Sequence, residues 1–214
     1  VHAFRLSMVC VALLGIESPA RAADSVCHGT PAKGRIEHAV QLPASGRNFR
    51  AYSTVGVSLG RTYAHAHVAN AITAAYAALA RRTPAKTFVY GETGFAKGGP
   101  FKPHKTHQNG LSVDFMVPVV DAKGRSVPLP GNAGNRYGND IEFDADARYR
   151  DLRIDFEALG EHLYALDHTG RRSGARIGRH HHLTVRHEYQ SAGRAAACGI
   201  GHGERSRLLQ AGGE

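Results

Sequence analysis

The residues best equipped for chemistry lie in one stretch, Gly98-Gly99-Pro100-Phe101-Lys102-Pro103-His104-Lys105-Thr106-His107-Gln108-Asn109-Gly110-Leu111-Ser112-Val113-Asp114-Phe115. Two histidines stand three apart, a turn is expected at Asn109-Gly110, and an apolar run carrying Asp114 follows. Read as a strand, this run puts Leu111, Val113 and Phe115 on one face and Ser112 and Asp114 on the other. A carboxylate at the mouth of such a strand can meet imidazoles from the preceding loop. Two imidazole nitrogens and one carboxylate oxygen suit Zn²⁺, with an open position left for water. The competing reading is coincidence. The chain has 14 His, so a pair at this spacing arises by chance, and one Asp downstream adds little.

Elements are needed to hold those side chains in place. Val68 to Arg82 is the clearest helix, with Val68, Ile72, Ala75, Tyr76 and Leu79 on one face and Thr83-Pro84 as its stop. Thr87 to Tyr90 reads as a short strand that delivers Gly91-Glu92 to its end. Asp151 to Leu166 reads as a second helix, with Phe156, Leu159, Leu163 and Leu166 as its buried stripe. Residues 24–62 read as loops and brief strands, and 121–139 as a long surface loop of the kind that forms functional rims. Helices interspersed with short strands, without βαβ regularity, predict an α+β fold: a small antiparallel sheet flanked by helices and long loops.

Other candidates compete for a role. Gly56-Val57-Ser58-Leu59-Gly60 matches the pattern of a serine nucleophile, but no apolar strand precedes it and no helix is expected directly after it. His162 lies beside the stripe of the second helix and reads as a boundary histidine. His65 reads equally as a cleft-lining group or as ordinary surface.

Gly91-Glu92-Thr93-Gly94, Gly98-Gly99 and His104-x-x-His107-Gln108-x-Gly110-Leu111-x-Val113-Asp114 together resemble the penicillin-insensitive murein endopeptidases. These are periplasmic zinc peptidases related in core fold to lysostaphin-type and D-Ala-D-Ala-cleaving enzymes. Leu59 to His65 is similar to a weaker segment of the same family, and the likeness runs over roughly residues 50–166. The chain departs from the family pattern at Glu92 and Ser112, where the family has Asp. The resemblance implies that His107 and Asp114 are zinc ligands and that His104 is a further metal-site histidine. It also implies a C-terminal His-x-His strand, for which Arg179-His180-His181-His182 is the candidate. His182 is then the expected third ligand and His180 the expected catalytic histidine. Anchoring on Val185-Arg186 instead puts Thr184 in the ligand position.

The rest of the chain fits an exported protein. A basic start, an apolar run from Leu6 to Ile16 and Ala20-x-Ala22 describe a secretory signal over residues 1–22, and that run is too short to span a bilayer. Residues 23–214 are then one domain in the periplasm, with Cys27 and Cys198 as two cysteines that can pair. A formal charge of +9 and a pI near 9.8 favour polyanionic partners. For an exported protein those are cell-wall polymers and anionic lipid head groups, not nucleic acid. From about Thr169 onward Gly, Arg, Ala and His dominate without a sustained period. That tail reads either as a divergent basic extension or as a slipped reading frame that has lost the final strand. The expected function is zinc-dependent cleavage of D-alanyl–meso-diaminopimelyl cross-links in peptidoglycan peptide stems. The alternative is a catalytically impaired peptidoglycan-binding module.

Overall fold

The structure, a computed structural model, describes residues 24–173 together with the backbone of 178–179 and 186–190. The elements run β1 (Val26–Thr30), β2 (Lys33–Glu37), β3 (Val40–Gln41), β4 (Phe49–Ala51), α1 (Thr54–Ser58), β5 (Tyr63–Ala64) and α2 (Ala66–Arg82). They continue with β6 (Phe88–Tyr90), β7 (Ser112–Met116), β8 (Val119–Val120), β9 (Ser126–Val127), a 3-10 turn (Ala133–Gly138), β10 (Arg148–Tyr149) and β11 (Leu152–Ile154). The last are α3 (Phe156–Arg172), β12 (Gly178–Arg179) and β13 (Arg186–Gln190). The fold is α+β, as the sequence pattern predicts.

The central sheet has the order β12-β13-β7-β6-β4, antiparallel except for the parallel pair β4 and β6. One face of it is covered by the two long helices. Phe88, Tyr90, Val113 and Phe115 point into a core with Val68, Ile72, Tyr76 and Leu79 of α2 and Ala158, Ala165 and Leu166 of α3. Each large apolar side chain buried this way contributes about 1.5–3 kcal/mol, so this core decides which face of β7 turns inward. A second cluster, Tyr52, Val89, Met116, Val117, Val119, Leu129, Ile141 and Leu152, joins the sheet to the small sheet β10-β11-β8-β9. The period-two alternation therefore leaves Ser112 and Asp114 facing away from the helices, buried nonetheless at 0% and 2% exposure.

α2 forms where the periodicity predicts, with His65 as its N-cap accepting from the His67 amide, and it stops at Thr83 before Pro84. Four expectations need correction. Asp151 to Asp155 is not helical: Leu152–Ile154 pairs with β8 and β10, and Asp155 caps α3 by accepting from the Ala158 amide. The buried stripe of α3 is Ala158, His162, Ala165, Leu166 and Gly170, while Phe156 is 65% exposed. Starting the helix at residue 156 places Phe156 in its first turn, outside the α2 contact, and turns His162 inward between Tyr76, Phe88 and Phe115, with ring centroids 4.9–5.6 Å away. His162 is thus a core residue and not a boundary one. The long loop at 121–139 is also partly regular, since β8 and β9 pair across Asp121–Arg125.

α3 continues through Thr169 to Arg172, and β13 pairs with β7 so that Glu188 stands opposite Asp114. Cys27 is disulfide-bonded, and Cys198 lies outside the described residues. The expected secretory segment, residues 1–22, also lies outside them. Among the described residues no helix is long and apolar enough to cross a membrane.

Candidate metal centre

Asp114 sits on β7, whose edge-to-edge pairing with the end of β6 fixes its backbone. The Gly91 amide donates to Asp114 O at 2.6 Å, and the Asp114 amide donates to Glu92 O at 3.0 Å. This close approach requires glycine at 91, because a Cβ there would lie 2.7 Å from Asp114 Cβ.

The loop from Phe95 to Gly110 brings the two histidines over that strand. It is tied down at several points: Gln108 N donates to Pro31 O at 2.9 Å, Gly99 N to Gln108 O at 2.9 Å, and His65 N to Gly110 O at 2.9 Å. His107 itself adopts a left-handed backbone with φ +69°. For a non-glycine residue that costs on the order of 1–3 kcal/mol, and such outliers persist where the surroundings hold them. Here the ring is wholly buried, and its Nδ1 faces Thr93 O at 3.3 Å. A carbonyl can only accept, so Nδ1 carries a proton, and in the neutral ring Nε2 keeps the lone pair. That Nε2 stands 3.2 Å from Asp114 Oδ1.

His104 is half-buried and stands edge-on to His107, with ring centroids 4.9 Å apart, and Phe101 packs against both rings at 5.7 and 5.5 Å. His104, His107 and Asp114 each offer one ligand atom within 4.8 Å of the others. Donors about 2.0–2.2 Å from a tetrahedral zinc ion lie roughly 3.4 Å apart, so the 3.2 Å pair already has that spacing. Two imidazoles and a buried carboxylate form a donor set of the right chemistry, and the residues present fit a zinc ion.

Behind the three stands Glu92, 7% exposed, expected from the sequence at the end of a short strand and as a departure from the family pattern. It accepts from Tyr52 OH at 2.8 Å, from Arg61 Nε, and faces His104 Nε2 at hydrogen-bond distance. Burial opposes its charge, but the hydrogen bonds from His104, Arg61 and Tyr52 outweigh that and hold its carboxyl down to about 2. Burial and the neighbouring Glu92 push the Tyr52 phenol up. Arg61 reaches further, donating from Nη2 to Lys102 O at 2.9 Å and lying over the Phe101 ring at 4.1 Å. Tyr52 and Arg61 come from segments 31–40 residues away from Glu92 in the chain. Only the Gly91-Glu92 step, placed at a strand end beside Asp114, carries a signal in the sequence.

Other expected residues lie elsewhere. His180 and His182 fall outside the described residues. Ser58 ends the short helix α1 and donates from Oγ to Thr54 O at 2.8 Å, with no strand-to-helix turn to expose it, so the serine-nucleophile reading is dropped. His65 is the α2 cap, with its ring 5.3 Å from that of His67, and burial lowers its pKa.

No curated protein matches the chain. The family model for penicillin-insensitive murein endopeptidase matches residues 27–129, a span that holds all three clustered side chains and the groups behind them. Over the stretch that builds the site, the chain is therefore similar to the penicillin-insensitive murein endopeptidase family.

Proposed function

We propose that this protein is a zinc endopeptidase of the periplasm that cleaves D-alanyl–meso-diaminopimelyl cross-links in peptidoglycan peptide stems. The observation that carries the reading is the convergence of His104, His107 and Asp114 within a segment matched to a family of murein peptidases. In this reading residues 1–22 are an export signal and residues 23–214 form the peptidase domain. His107 and Asp114 hold the ion, His104 is a further histidine of the metal site, and His182 is the third ligand.

A bound zinc ion supplies a Lewis acid for the scissile carbonyl and lowers the pKa of water toward about 7. The chain's own residues do the rest. Thr93 O fixes the His107 ring with its Nε2 lone pair toward Asp114. Asp114 contributes the anionic oxygen of the described set, and burial keeps bulk water from competing with it. His180 is the group assigned to move a proton to the leaving amine of diaminopimelate. No acylable serine takes part, which accounts physically for indifference to penicillin.

Digestion of purified cross-linked muropeptides followed by mass analysis tests the reading. Dimers should resolve into monomers, each cut adding one water and freeing one diaminopimelate amine. Intact dimers, or cuts confined to other bonds, would overturn the bond assignment.

A further inference from the structure

We propose that Glu92 is a positioning residue of this centre: it holds the His104 ring with its proton on Nε2 and leaves Nδ1 as the nitrogen able to take a metal ion. The inference rests on the zinc reading above and concerns a side chain outside the clustered donors.

The argument starts from what each atom can do. An ionised carboxylate only accepts hydrogen bonds, and Glu92 sits where three donors converge, from Tyr52, Arg61 and His104. Its partner at His104 is Nε2, so that nitrogen must be the donor. In a neutral imidazole the other nitrogen then carries the lone pair. A histidine whose ring is fixed by a carboxylate in this way is oriented before the ion arrives.

The placement of Glu92 makes it more than a local partner. Its carbonyl accepts the Asp114 amide at 3.0 Å while its side chain holds His104, so one residue sets the backbone of one donor and the ring of another. Arg61 closes the arrangement from behind. It binds Glu92, reaches the carbonyl of Lys102 two residues before His104, and covers Phe101, against which both histidine rings pack. Tyr52 supplies the third donor and is itself backed edge-on by Tyr137 at 5.7 Å. Four side chains from separate segments thus fix the orientation of one ring.

Glu92→Gln keeps the volume and removes the charge, and Glu92→Ala removes the acceptor altogether. Two readouts decide the matter. In zinc-free protein labelled with ¹⁵N at histidine, the His104 resonances at alkaline pH should report the proton on Nε2 in the wild type. In Glu92→Ala they should report a mixture of tautomers. In a zinc titration against a competing fluorescent chelator, Glu92→Gln should bind roughly 10–100-fold more weakly than the wild type, with unchanged circular dichroism. A wild-type His104 protonated on Nδ1, or a Glu92→Gln affinity within about twofold of wild type, would overturn the proposal. If the wild type takes up no zinc at all, the zinc reading has failed, and the tautomer of His104 still decides the role of Glu92.

Discussion

Gly91→Ala is a single-methyl test of how the site is built. The glycine lies where β6 ends against β7, and its backbone is not in the left-handed region, so alanine meets no conformational penalty there. The obstacle is purely steric. The new Cβ would stand 2.7 Å from Asp114 Cβ, 3.2 Å from Asp114 O and 3.3 Å from its carbonyl carbon. Carbon atoms settle at about 3.5–4.0 Å, so the first contact is short by roughly 0.8 Å. None of these atoms is the far end of a flexible side chain, so the strand carrying Asp114 must move. Overpacking of this kind costs about 1–3 kcal/mol, which for a domain of this size lowers Tm by roughly 2–10 °C. The larger effect falls on the site, because displacements near 1 Å cost about 100-fold in a catalytic geometry. Thermal melts by circular dichroism and zinc competition on the same sample separate the two. A Gly91→Ala protein with wild-type zinc affinity and cleavage rate would refute the claim that this close approach places the carboxylate.

The two histidines should differ in weight: His107→Ala should abolish zinc uptake in a chelator-competition titration, while His104→Ala should weaken it by roughly the 10–100-fold expected of Glu92→Gln and reduce cleavage. Equal loss from both would mean that the ion depends on the two rings alike. His162→Ala should lower stability by roughly 2–5 kcal/mol, because it empties a ring-sized space between Tyr76, Phe88 and Phe115. Calorimetry and metal analysis together should find a lower Tm with full zinc content, and lost zinc would place His162 in the site instead. The Glu92 carboxyl is held at about 2 against an ordinary 4.5, so its contribution is fully present above 4.5 and disappears as pH falls toward 2. That contribution is at most about 3 kcal/mol. Melting temperatures measured across this window should fall more steeply for the wild type than for Glu92→Gln, and parallel slopes would contradict the assignment.

The parts of the fold written in short-range pattern were legible in the sequence. The face of α2 followed from Val68, Ile72, Ala75, Tyr76 and Leu79, and the strand bearing Asp114 followed from the alternation of Leu111, Val113 and Phe115. The meeting of His104, His107 and Asp114 was legible for the same reason, since three side chains separated by a turn and half a strand need little tertiary information to come together. The start of α3 was not, because Leu152 and Ile154 fit a helical stripe as well as a strand, and only pairing with β8 decides between them. The inward turn of His162 follows from that shift. Tyr52 and Arg61 were invisible because they reach Glu92 across 40 and 31 residues, and nothing local to either marks it as a partner of a carboxylate.

The most direct test of the account is Asp114→Asn, which keeps the volume of a side chain buried on β7 and exchanges an anionic oxygen donor for a neutral amide. A structural carboxylate at this position would tolerate the exchange at about 1 kcal/mol. A zinc ligand would not, because the ion loses the charge that balances its own. Cleavage of cross-linked muropeptides by the purified wild type and Asp114→Asn, each with zinc present, is the measurement. The account predicts a folded variant with near-unchanged circular dichroism that releases no monomers; a folded Asp114→Asn protein that cleaves at the wild-type rate would contradict it.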